Sequence, residues 1–166
     1  LEHRTPAICH ATRAVPRRLD TVQSGFLRHI GIDEITAHVN FHLAPLSTRR
    51  DIAMLGLIHR TKMGKGPAQF QYFFRLASDG RSLVDPRRES TSPLIERSAL
   101  GLVAIYNMLP PRLLAVRSVS AFQKRLQEYV IMLAASGYPQ WSEVLSPRLP
   151  LPTHPSATHL HTLAAQ

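Results

Sequence analysis

Seven consecutive residues, Ile52-Ala53-Met54-Leu55-Gly56-Leu57-Ile58, carry no polar side chain. Wound into a helix, such a run is apolar on every side, and the rest of the chain must enclose it. Its flanks delimit the helix to residues of about 48–63. Pro45 ends whatever precedes it, Ser47 can accept a backbone N–H as an N-cap, and Gly64, Gly66 and Pro67 stop the far end. Arg49 and Arg50 stand at the N-terminal end of this helix; His59, Arg60 and Lys62 stand at the other. A cationic pair at a helix N-terminus opposes the macrodipole, so an acidic or phosphate partner there would make sense of it.

The segments around the run supply the enclosing elements. From Pro16, a residue suited to a first helical position, Leu19, Val22, Phe26 and Ile30 recur at helical steps, and Gly31 offers a C-terminal cap. A shorter helix fits residues 33–43, with Ile35, Val39 and Leu43 on one face. A third long helix is expected over residues 98–109, with Leu102, Ile105, Tyr106 and Leu109 inward, until Pro110-Pro111 ends it. A fourth is expected from Ser120, where Ser120 and Gln123 match a capping box, with Phe122, Leu126, Val130 and Leu133 as its buried stripe. Lys124 and Glu128 fall one turn apart on its exposed side, and Gly137 and Pro139 close it.

Between the second and third long helices, the aromatic run Phe70, Tyr72, Phe73 and Phe74 is expected to pack a short helical turn against the core. The turn-rich stretch 77–93 leaves room for one short β-hairpin, residues 81–84 against 94–97. Residues 146–166 hold Pro147, Pro150, Pro152 and Pro155 without hydrophobic period, which reads as a disordered tail. The expectation is therefore a mainly α protein, a small irregular bundle of about four main helices. Its domain spans residues 1–138 and its tail 139–166. The absence of a Met at position 1 agrees with a segment continuous with upstream sequence.

Charge narrows the partners. Lys and Arg number 20 against 11 Asp and Glu, a net charge of +9. No acid lies between Asp51 and Asp79, a window holding Arg60, Lys62, Lys65 and Arg75, and none between Glu96 and Glu128, which spans Arg97, Arg112, Arg117, Lys124 and Arg125. A solvated cationic surface and a phosphate-binding surface both fit this distribution. If RNA or DNA is bound, Arg49, Arg50, Arg60, Lys62 and Lys65 form one candidate cluster, and Arg117, Lys124 and Arg125 a second. Guanidinium groups match phosphate geometry bidentately.

Signatures of chemistry are missing. No HExxH, CxxC or GxSxG occurs, and Lys62-Met63-Gly64-Lys65-Gly66-Pro67 lacks phosphate-loop spacing and follows a helix rather than a strand. Glu34, His38 and His42 share a helix face, but no fourth ligand is in view, and a solvated polar face is the expectation. His159 and His161 have no acid or Cys beside them, and the lone Cys9 excludes an intramolecular disulfide. The adjacent acids Asp33-Glu34 suit a helix start. No catalytic residue, metal site or cofactor is assigned. Without a signal core or a long apolar span, a soluble intracellular protein, nuclear or cytoplasmic and with no membrane partner, is expected.

Two segments carry a resemblance. Tyr106-Asn107-Met108-Leu109-Pro110, followed by Ser118, Phe122 and Leu126, resembles a pattern near the C-terminus of non-LTR (LINE-type) retrotransposon polyproteins. There an aromatic-Asn-x-Leu-Pro motif closes one helix and a Ser-x-x-x-Phe-x-x-x-Leu motif opens the next. Tyr106 stands where Trp is more usual, and Gln123 where Lys is common. Upstream, Leu19-Asp20-x-Val22-Gln23-x-x-Phe26-Leu27 and Leu43-Ala44-Pro45-Leu46-Ser47-x-Arg49-Arg50 are similar to the region just beyond that family's reverse transcriptase domain. The matches keep the family's order over residues 1–135. The resemblance implies a non-catalytic accessory region, gripping RNA or DNA or packing against the upstream polymerase; a degenerate element fragment is the third reading. The polymerase's Tyr/Phe-x-Asp-Asp motif is absent, so no catalytic residue carries over. For the motif itself the residues suggest fold roles: Asn107 as a helix-end cap, and Tyr106 packing on Phe122.

Overall fold

A computed structural model describes residues 14–88, 92–96, 98–147, 149 and 154, with side chains from residue 18 onward. The described part is mainly helical, as expected. Its α-helices are α1 (Ala14–His29), α2 (Glu34–Phe41), α3 (Leu46–Lys62), α4 (Ala68–Gln71), α5 (Pro93–Glu96), α6 (Val103–Met108), α7 (Pro111–Leu114) and α8 (Val119–Ala135). Short 3-10 turns cover Pro86–Arg88, Ala99–Leu102 and Trp141–Glu143.

Helix α3 is the axis of the molecule. Met54, Leu55, Gly56 and Ile58 are buried, and α8, α1, α6 and the Ala99–Leu102 turn all pack on it. Its closest neighbour is α8. A Cβ at Gly56 would stand 2.4 Å from the Gln123 side-chain nitrogen, so the absent side chain is what lets the two helices approach. His59 stacks on Phe122, and Gln127 lies across from Arg50 and Ala53. Rising numbers on α8 thus meet falling numbers on α3: the pair is antiparallel.

Helix ends follow local chemistry, with corrections. Gly31 adopts φ +74°, and the Ile32 N–H reaches back to the Leu27 carbonyl, the bond pattern of a left-handed C-cap. Asp33 caps α2 by accepting the Thr36 N–H at 2.8 Å. Ser47 does not cap α3. That helix starts at Leu46, and the Ser47 N–H is taken at 3.0 Å by the Asp20 carboxylate of α1, a cap supplied from elsewhere in the chain. Nor does Ser120 begin α8. Ser118 is its N-cap, accepting from the Ala121 N–H, and Gln123 is spent against Gly56. The helix expected over 98–109 forms, with its first turn wound as 3-10 and Ser98 as cap.

The face of α1 is the largest departure. Among its described side chains Leu27 is buried, whereas Val22 and Phe26, expected inside, are 70% and 59% exposed, and Ile30 is exposed as well. Polar contacts decide this orientation. Asp20 bonds the Ser47 N–H, and the Gln23 amide donates to the Ala44 carbonyl and accepts from Arg49. In α2, Ala37 and His38 are buried while Ile35 is exposed, as is Leu43 just beyond the helix end. Of the aromatic run, Phe74 is buried and Tyr72 and Phe73 are exposed.

The hairpin expected between 81–84 and 94–97 does not form. Leu83 bridges instead to Leu76, with the Ala77 N–H on the Ser82 carbonyl and the Val84 N–H on the Arg75 carbonyl. The turn is Asp79-Gly80. Asp79 accepts the N–H groups of Arg81 and Ser82, and Gly80 takes φ +64°. Residues 93–96 are helical, and Arg97 lies outside the described residues.

Packing also continues beyond residue 138, where the domain was expected to end. Trp141, Val144 and Leu145 are core residues, and the Thr48 hydroxyl donates to the Ser142 carbonyl at 2.8 Å. Most of the expected tail (148, 150–153 and 155–166) lies outside the described residues.

Candidate nucleic-acid interface

Two of the residues that carry the resemblance, Tyr106 and Phe122, meet at one buried side chain, His59. Its Nε2 lies 2.6 Å from the Val116 carbonyl, which only accepts, so Nε2 carries the proton. The Nδ1 is then the acceptor for the Tyr106 hydroxyl, 2.8 Å away. Phe122 stacks on the imidazole at 4.1 Å between ring centres, and Tyr106 and Phe122 pack against each other at 6.1 Å. Burial pushes the His59 imidazole below its ordinary value and lifts the Tyr106 hydroxyl above its own.

The other motif residues serve the same frame. Asn107 does not cap a helix: its side chain pairs with Leu83 through both backbone atoms, accepting the N–H at 2.9 Å and donating to the carbonyl at 2.8 Å. This amide fastens the 76–83 hairpin to α6 in the manner of a neighbouring strand. Leu109, Pro110 and Leu126 are buried, and Ser118 caps α8. The two upstream segments are likewise tied to each other, through Asp20–Ser47 and Gln23–Ala44.

The candidate cations do not form the two expected clusters. Arg50 and Arg60 lie ten residues apart on one helix, about 15 Å along its axis. Arg49 and Arg50 therefore belong to the opposite end of α3 from Arg60, Lys62 and Lys65. Antiparallel packing instead regroups the set. The start of α8 meets the end of α3, and the Val116 carbonyl on His59 brings the backbone of Arg117 to that same end. Lys124 and Arg125 follow within the next turns of α8.

Arg60, Lys65 and Arg117 are exposed there, and Lys124 and Arg125 are exposed farther along α8, level with the middle of α3. Lys62 is not free. Its ammonium donates to the Arg81 carbonyl at 2.7 Å and stands 5.4 Å above the Tyr106 ring; burial lowers its pKa, partly offset by nearby Asp79. Arg60 donates through Nε to the Lys65 carbonyl, closing the helix end. Lys124 and Glu128 form the expected surface pair at 3.8 Å.

At the other end Arg49 is half-buried and donates to Gln23 at 3.0 Å, while Arg50 is only 6% exposed. His38, expected on a solvated face, is enclosed, its ring stacked 4.9 Å from Trp141. Glu34 is bonded by the Ser24 hydroxyl and stays outside. Among the described residues no group of His, Cys, Asp and Glu could hold a metal, and no helix is long and apolar enough to cross a membrane. Cys9, His159 and His161 lie outside the described residues.

Sequence reasoning missed His59 and His38 as interior groups. The signal was present for His59, which falls on the same stripe as Ile52 and Leu55. Comparison with family models, curated proteins and solved structures yields no match.

Proposed function

We propose that this chain is a non-catalytic helical segment of a retrotransposon reverse transcriptase polyprotein, aiding target-primed reverse transcription by gripping the backbone of RNA or DNA. The ordered motif resemblance supports the parentage. The grip rests on one observation: antiparallel α3 and α8 set Arg117, from one acid-free sequence window, at the end of α3 that carries Arg60 and Lys65 from the other. Arg60, Lys65, Arg117 and Arg125 are the contacts, with Lys124 shared with Glu128. Phosphate neutralisation there releases counterions and carries no base preference.

Fluorescence anisotropy with single-stranded RNA and duplex DNA tests this grip. Replacing Lys65, Arg117 and Arg125 together by Ala removes three exposed charges without touching a buried contact. For duplex DNA the slope of log affinity against log salt is expected to become shallower by roughly 2.7, at 0.9 per lost phosphate contact. Unchanged affinity and slope would refute the interface.

A second reading, packing against the upstream polymerase region, is favoured by the stripe Val22, Phe26 and Ile30, which α1 leaves uncovered together with Ile35 and Phe41. Under this reading the isolated chain self-associates through the stripe. Sedimentation analysis should show concentration-dependent assembly, abolished in a Val22→Glu/Phe26→Glu variant whose helical circular dichroism is unchanged. A chain that stays monomeric at every concentration counts against it.

A further inference from the structure

Arg50 presents an electrostatic problem that the fold leaves open. Its residue is 94% buried, and neither terminal guanidinium nitrogen, Nη1 or Nη2, has a hydrogen-bond partner. Guanidinium stays protonated in a protein, so the group cannot escape the cost of burial by losing its charge. A buried cation without a counter-charge is strongly destabilising, and the usual resolution is an anion with two acceptor oxygens at fork spacing.

The surroundings have room for one. Arg50 lines a cleft of about 360 Å³ between the end of α2, the start of α3 and the middle of α8. Arg49, His42 and the Gln127 amide line it too, and Ala44 and Ile52 supply apolar wall. None of its described lining residues is acidic. Arg49 is held beside the cleft by its bond to Gln23, which is itself fixed on the Ala44 carbonyl. Asp20, at this helix end, is occupied by the Ser47 N–H, and Asp51, the residue after Arg50 on α3, does not line the cleft.

We infer that this cleft is an oxyanion site that takes one phosphate group, clasped by the Arg50 fork with Arg49, His42 and Gln127 around it. The site lies at the opposite end of α3 from Arg60, Lys65 and Arg117, and it stands whether or not that grip exists. A phosphate could reach it as the free ion or as the terminal phosphate of a nucleotide chain. The cleft's volume, at the small end of ligand pockets, suits either.

Thermal unfolding and titration calorimetry of the full chain separate the outcomes. Ligands are inorganic phosphate, a 5′-phosphorylated trinucleotide and its 5′-hydroxyl form, each against chloride at matched ionic strength. Wild type is expected to rise in Tm with inorganic phosphate, because a ligand bound only by the folded state stabilises it. In Arg50→Met, which keeps volume and removes the unpaired charge, Tm without ligand should be equal or higher, and phosphate should bind roughly tenfold or more weakly.

His42→Gly, which retains the left-handed backbone at that position, should weaken binding to a smaller degree. A response to the phosphorylated trinucleotide alone, lost in Arg50→Met, supports the site and makes the terminal phosphate its source. No response to either phosphate, or an equal response in Arg50→Met, overturns the proposal.

Discussion

Phe122→Ala is expected to lower the unfolding free energy by about 3–5 kcal/mol, the range for an aromatic truncated in a closed core. Phe122 has no solvent exposure and is stacked against His59, with Tyr106 beside it. Its removal leaves a void next to the His59–Tyr106 hydrogen bond and at the contact of the two longest-packed helices. Against a total stability of order 5–15 kcal/mol for a domain, the loss is a large fraction of the whole. Phe122→Leu, which keeps most of the volume, should cost appreciably less. Urea unfolding followed by circular dichroism measures both. If Phe122→Ala shifts stability by only about 0.5 kcal/mol, as at a surface site, the His59-centred core is wrongly described.

The second large effect is acid sensitivity. Burial holds His38, His59 and His154 below their ordinary value of 6.5. At His59 and His154 a bond to a backbone carbonyl partly offsets this, and at His38 the neighbouring His42 adds to it. The folded chain keeps these rings neutral where the unfolded chain already binds protons. Stability is therefore full above about pH 6.5 and falls below it, until each ring's own folded value is reached.

The limit for each histidine is a slope of about 1.4 kcal/mol per pH unit, approached where the unfolded chain is protonated and the folded ring is still neutral. Chemical denaturation at pH 7.5, 6.5 and 5.5 reads this directly. His38→Phe removes no hydrogen bond, since both ring nitrogens of His38 lack partners. It keeps an aromatic ring facing Trp141 and should make the slope shallower. Stability that is flat across the range would show that these rings titrate as if exposed.

Those two results depend on residues whose roles were unequally visible in the chain. Phe122 was legible: it opens a stripe with Leu126, Val130 and Leu133, all of which are buried. His38 was not, and the place of His59 on the Ile52–Leu55 stripe did not settle its burial, because a histidine in a helix is equally at home on the surface, and only a carbonyl or an aromatic ring brought from far along the chain makes its burial tolerable. For His59 those partners are Val116 and Phe122; for His38, Trp141. The hairpin was misplaced for a local reason. Asp79-Gly80 is itself a strong turn signal, and it pairs 76 with 83 before residues 94–97 come into play.

Helix α1 shows where periodicity stops. Leu19, Val22, Phe26 and Ile30 do mark an apolar stripe on a helix that forms. Which side faces the core was decided by Asp20 and Gln23, whose polar atoms satisfy backbone groups at Ala44 and Ser47. An apolar stripe measures what would gain from cover. It does not say what is there to cover it, whereas a buried backbone N–H demands a partner.

The sequence by itself determined the helical class, the enclosure of the Ile52–Ile58 run, the punctuation at Gly31, Pro110 and Gly137, and an overall cationic surface. These depend on residue type and spacing within a few turns. Tertiary structure alone decided that α3 and α8 run antiparallel, which sets Arg117 beside the end of α3 that carries Arg60, and that Arg50 is enclosed with neither terminal nitrogen bonded. Both are relations between residues more than fifty positions apart or between a side chain and everything around it, and no local period encodes them.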